Sequence, residues 1–175
     1  MVLRTVMLSV VLLCSMMANV FAGDMNKAPY KGSREFEQLK TLEGKWEGKG
    51  KMGAMEMPVT LEYKVTSNGS ALVERLFAGT PQEMTTVYTD RDSKVSLIHY
   101  CSIGNQPQMD LVKHSGMRYE FVFSKKSNFH PKKEAHMHAL TIDYDGQDRL
   151  VQQWDMYEKG KSTGVHGFEF KRVEK

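Results

Sequence analysis

From Lys45 to the end of the chain, β-branched and aromatic residues alternate with polar ones, and turn residues recur about every eight to twelve positions. Period-two patterning admits strands and excludes amphipathic helices, whose apolar positions recur at three and four. Candidate strands are Lys45–Met52, Met55–Thr66, Ala71–Ala78, Met84–Thr89, Lys94–Ser102, Gln108–Lys113, Met117–Ser124, His136–Tyr144, Leu150–Tyr157 and Gly164–Val173. Asn68-Gly69, Asp90-Arg91-Asp92, Ser115-Gly116, Asp145-Gly146 and Lys159-Gly160 supply tight turns between them. Connections this short make sequence neighbours pair in space. About ten strands then predict an all-β fold, an antiparallel up-and-down barrel that leaves no free edge. An open two-sheet sandwich is the alternative. One helix precedes the sheet: Phe36, Leu39 and Leu42 share a face, Ser33 offers a cap and Gly44 a stop.

The first residues read as an address. Residues 1–22 carry one charge, Arg4, an apolar run from Val6 to Leu13, and small residues at Val20 and Ala22. This is the pattern of a signal peptide, too short in its apolar run to span a bilayer. Export to the periplasm or beyond follows, with a flexible segment over 23–34 and the barrel domain over 35–175. Beyond the signal only Cys101 remains of two cysteines, so an internal disulfide is excluded and the core must hold the fold. No later stretch is apolar enough to anchor in a membrane. Twenty-four Lys and Arg against 21 Asp and Glu give a net charge of +3, too small a bias to argue for nucleic acid.

Alternation also assigns faces. Met55, Met57, Val59, Leu61, Tyr63 and Val65 form one inner row, and Met117, Tyr119, Phe121 and Phe123 another. Histidines occupy the apolar faces of three further strands. His99 and Cys101 follow Val95 and Leu97; His136 and His138 precede Leu140, Ile142 and Tyr144; His166 precedes Phe168 and Phe170. His114 and His130 fall at turns and are expected in solvent. Buried imidazoles need partners, solvent or a ligand. A hollow barrel would let His99, Cys101, His136, His138 and Trp154 line a pocket for a small molecule. His136 and His138, two apart on a strand, could chelate a metal with His99 as third ligand. Cys101 beside a histidine is a candidate nucleophile, although no acid is evident to orient the base. Lys125, Lys126, Lys132 and Lys133 make a basic loop with Phe129 and His130.

Gly44-Lys45-Trp46-Glu47-Gly48-Lys49-Gly50 spells G-x-W-x-G-x-G just after the helix. It resembles the opening of nitrobindin-type calycin barrels, and its G-x-W core is similar to that of lipocalins. In such a barrel Trp46 would plug one end and the glycines would let the first strand bend. His99-Tyr100-Cys101, Gly104-Asn105-Gln106-Pro107, His136-Met137-His138 and the strand around Trp154 resemble exported bacterial proteins sharing a calycin-like domain of unknown function. The nitrobindin resemblance implies a haem held by a histidine on a late strand, here His166, acting on reactive nitrogen or oxygen species. The lipocalin resemblance implies a small apolar ligand held by one or two polar anchors, for which Arg75 or Gln152 could serve. A structural or interaction module with a filled core is the third expectation.

Overall fold

The computed structural model describes residues 28–127 and 129–174. The expected signal segment, 1–22, lies outside the described residues. Among the described residues, one α-helix, α1 (Arg34–Lys40), is followed by ten strands: β1 (Gly44–Met52), β2 (Met55–Thr66), β3 (Ala71–Leu76), β4 (Met84–Arg91), β5 (Lys94–Tyr100), β6 (Gln108–Ser115), β7 (Arg118–Phe123), β8 (His136–Tyr144), β9 (Arg149–Glu158) and β10 (Lys161–Glu174). Each strand pairs antiparallel with the next, and β1 pairs with β10 to close the barrel. The fold is the expected all-β up-and-down barrel with a short N-terminal helix.

Strand limits differ from the sequence reading where turn chemistry intervenes. β3 stops at Leu76 rather than Ala78 because Phe77 takes a left-handed conformation, φ 58°, and its carbonyl accepts from Thr80 N at 3.1 Å. The β4–β5 turn falls on Asp92 and Ser93, with φ 53° and 58°, so β4 runs on to Arg91 opposite Lys94. Asp90 is thereby freed from the turn and binds the chain before α1. Its carboxylate accepts from Ser33 N, and its carbonyl accepts from Tyr30 Oη at 3.0 Å. The inner row of β2 begins at Met57, not Met55, which is 61% exposed at the tip of the β1–β2 hairpin.

α1 closes one end. Ser33 Oγ accepts from Phe36 N at 3.3 Å, Glu35 and Glu37 lie in the first turn and Lys40 in the last, as the helix dipole favours. Phe36, Leu39 and the following Leu42 are fully buried against the barrel core. Trp46 is buried among them and donates Nε1–H to the Leu42 carbonyl at 2.9 Å. Arg172 of β10 lays its guanidinium over the Trp46 ring at 4.1 Å and donates to the carbonyls of Thr41 and Glu43. The plugging role expected of Trp46 is therefore realised with helix and arginine together.

The glycines of the motif answer crowding more than bending. A Cβ on Gly48 would fall on the Glu169 backbone of β10, and one on Gly50 would lie 2.7 Å from the Phe168 ring. Both positions let β10 come close at the barrel seam.

Candidate functional site

At the other end, side chains do not fill the barrel. A cavity of about 470 Å³ lies between β2, β3, β4, β5, β8, β9 and β10, within the size range of small-molecule sites. Met57, Leu76, Met84, Met137, Trp154 and Phe168 make its apolar wall, and the exposed Pro58, Thr80, Gln82 and Ser102 its rim. Two imidazoles enter this wall, His99 from β5 and His166 from β10. Trp154 relates them: its ring packs tilted against His99 at 4.5 Å between centroids, and His166 is its cross-strand partner. A larger hollow, about 790 Å³, lies outside the barrel over β5 and β6; Arg91, Lys94 and Lys113 line it, and none of the expected ligand-binding side chains does.

Beneath the cavity is a buried polar layer, which register alone assembles. Tyr63 faces Glu74 across β2–β3, Glu74 faces Thr86 across β3–β4, and Thr86 faces His99 across β4–β5. Glu74 is fully buried and, among the described residues, meets no cation; four donors serve it instead. Tyr63 Oη–H donates to Oε2 at 2.6 Å, Tyr88 Oη–H at 2.7 Å, Gln152 Nε2–H at 2.8 Å, and Thr86 Oγ1–H reaches Oε1 at 3.1 Å. Burial raises the Glu74 carboxyl above its ordinary value, against the pull of those donors. Burial, then the adjacent carboxylate, pushes both tyrosines well above theirs. His99 Nδ1 lies 3.0 Å from Thr86 Oγ1, while Nε2 is buried with no partner. With only desolvation acting on it, the His99 pKa falls to about 4. His166 Nδ1 is likewise buried without a partner.

The expected pocket residues thus separate into two groups. His99, Trp154 and His166 meet at the cavity. His136 and His138 do not, because β8 carries a bulge between Met137 and Ala139 that turns Met137 into the cavity wall. The two histidines pack instead with Phe123, Phe129 and Tyr157, His138 stacking on Tyr157 at 3.9 Å. They touch one another, His136 Nε2 to His138 Nδ1 at 3.0 Å, and burial followed by the neighbouring His136 lowers the His138 pKa. Among the described residues no group of three His, Cys, Asp or Glu side chains is placed to hold a metal. His99 in particular does not join this pair.

Cys101 is half-buried past the end of β5, its Sγ 3.9 Å from Met84 Sδ, and it is not part of the cavity wall. Arg75, a candidate anchor, points away from the interior and is paired with Glu62 and Glu83. Gln152 is buried, and it serves Glu74 and Trp154. His114 is not a solvated turn residue: its ring packs tilted against Tyr119 at 4.9 Å, and its Nε2 is buried. His130 is exposed. Glu74 is joined to His99 through Thr86, whose Oγ1 contacts both Glu74 Oε1 and His99 Nδ1. Glu74 shares strand spacing with Leu72 and Leu76, but Arg75 shares it with Val73 and Phe77, so spacing alone does not say which charge is buried.

Fold and site define a meander barrel with one end sealed by a helix and an apolar, histidine-bearing cavity at the other. Comparison with known protein families and with curated proteins returns no match for this sequence. No helix among the described residues is long and apolar enough to cross a membrane.

Proposed function

We propose that this chain is a small-molecule-binding barrel that takes a largely apolar ligand into the cavity beside Trp154. The observation that carries this reading is the pairing of an apolar hollow of about 470 Å³ with two buried imidazole nitrogens, His99 Nε2 and His166 Nδ1, that lack any partner. An unpaired buried polar atom costs about 1–3 kcal/mol, a cost that a ligand's polar group would remove. Export, on this reading, rests on the signal-like residues 1–22.

A titration with the neutral fluorophore N-phenyl-1-naphthylamine tests the proposal. Saturable one-to-one binding is expected, weakened about tenfold or more when Met84→Trp fills the cavity and unchanged in Lys113→Ala on the outside. Absence of saturable binding, or equal affinity in Met84→Trp, overturns it.

The haem reading has one observation in its favour: His166 lines the cavity from a late strand, the place the nitrobindin resemblance gives to a haem-holding histidine. The described lining residues include no Lys or Arg to take two propionates, so the site supplies half of what the group needs. Titration with haemin separates the two readings. A saturable Soret shift lost in His166→Ala would favour haem; its absence leaves the apolar-ligand reading alone.

A further inference from the structure

The hydrogen-bond layer under the cavity fixes which polar group a ligand must bring. Gln152 sets the starting point. Trp154 Nε1–H can only donate, and it meets Gln152 Oε1 at 3.0 Å, so the amide is oriented with Nε2 toward Glu74 and Tyr63. Gln152 Nε2–H therefore donates to Tyr63 Oη at 2.6 Å as well as to Glu74 Oε2. Tyr63 and Tyr88 are left to donate their own protons to Oε2. Three donors converge on Oε2 and a fourth reaches Oε1, an arrangement that suits a carboxylate, which only accepts.

Direction then propagates along the rung. Thr86 has one hydroxyl proton, and Glu74 Oε1 takes it. The contact from Thr86 Oγ1 to His99 Nδ1 must be filled by a proton on the ring, so Nδ1–H donates to the threonine. Neutral imidazole carries one N–H. His99 Nε2 is left with its lone pair, buried and unpartnered, on a ring that lines the cavity.

We infer that the Glu74–Thr86 chain locks His99 with an unprotonated Nε2, and that the ligand is an apolar molecule bearing a hydrogen-bond donor, a hydroxyl or N–H, for that nitrogen. The inference rests on the cavity being a ligand site, but its first half stands without any ligand. A site built to accept a hydrogen bond discriminates against an analogue that cannot donate one, because both polar atoms are then left unpaired.

Two measurements test this. In the wild-type protein at pH 7, nitrogen-15 correlation spectra of the imidazoles should show a pyridine-like Nε2 and a pyrrole-like Nδ1 for His99; the reverse assignment overturns the lock. Titration with 1-naphthol and 1-methoxynaphthalene should then show about tenfold or greater preference for the naphthol, about 1.4 kcal/mol. Glu74→Gln turns an acceptor into a donor facing Thr86, which reverses the chain and puts the proton on Nε2; the methoxy compound should then bind about as well as the naphthol. Thr86→Val breaks the chain and should also erase the preference, so the test does not hang on one variant folding. Equal binding of the pair to the wild type, or an unchanged preference in Glu74→Gln, overturns the ligand class. If neither compound binds saturably while the Nε2 assignment holds, the binding-site reading fails and takes the ligand class with it, leaving the lock intact.

Discussion

His99 is 1% exposed, and burial holds its pKa at about 4 against 6.5 for the free side chain. Above pH 6.5 the ring is neutral in both folded and unfolded chains. As pH falls from 6.5 toward 4 the unfolded chain takes up a proton that the native ring refuses, so stability is lost across that window. The loss from this residue should be about 2 kcal/mol by pH 5. His138, also lowered, adds in the same direction, whereas the raised Glu74 carboxyl acts oppositely, losing stability as pH rises through its folded value. Urea unfolding of wild type and His99→Gln at pH 7 and pH 5 isolates the term. The variant should lose less on acidification, and parallel losses would show that His99 does not carry the effect. Period-two alternation was enough to place His99 inside. Glu74 was harder to read because Arg75 follows it, and two adjacent charges do not say which one is buried until Tyr63, Tyr88 and Gln152 supply donors from strands distant in sequence.

At the level of strands, the seam between β1 and β10 depends on missing side chains. Gly48 stands opposite Phe170, and a methyl there would overlap the Glu169 backbone, which cannot swing aside as a side chain can. Gly48→Ala should cost about 2 kcal/mol of unfolding free energy, a typical overpacking penalty. Gly53→Ala, at a hairpin tip with open space around it, serves as a comparison that carries only the strain of its positive φ. An equal effect at both positions would remove the crowding argument. The β8 bulge marks the limit of reading strands from sequence. His136 and His138 alternate faultlessly with their neighbours, yet one extra residue re-aims Met137 into the cavity and leaves the histidines with Phe129 and Tyr157. A bulge has no compositional signature of its own. Turn residues were more legible, since Gly116, Gly146 and Gly160 all take the positive φ their positions demand.

Across the whole molecule, the barrel is divided along its axis. α1, Trp46 and Arg172 seal one end, the Glu74 layer crosses the middle, and the cavity opens at the other. That the chain closes on itself was legible from strand count and short connections; that one end stays hollow was not, because hollowness depends on how far side chains reach across a closed sheet. Nine of the strand pairings join consecutive strands, and the tenth joins β1 to β10. Pairings between neighbours close short loops, while the seam must bring together segments separated by nearly the whole domain. Pulsed hydrogen exchange during refolding should therefore find amides bonded across β4–β5 and β6–β7 protected before those bonded across the seam; simultaneous protection would contradict this order. During synthesis β10 is also the last of the ten barrel strands to leave the ribosome. Until it docks, β1 and β9 present raw sheet edges able to recruit another chain, so this barrel's exposure to aggregation is concentrated in the interval before its final strand arrives.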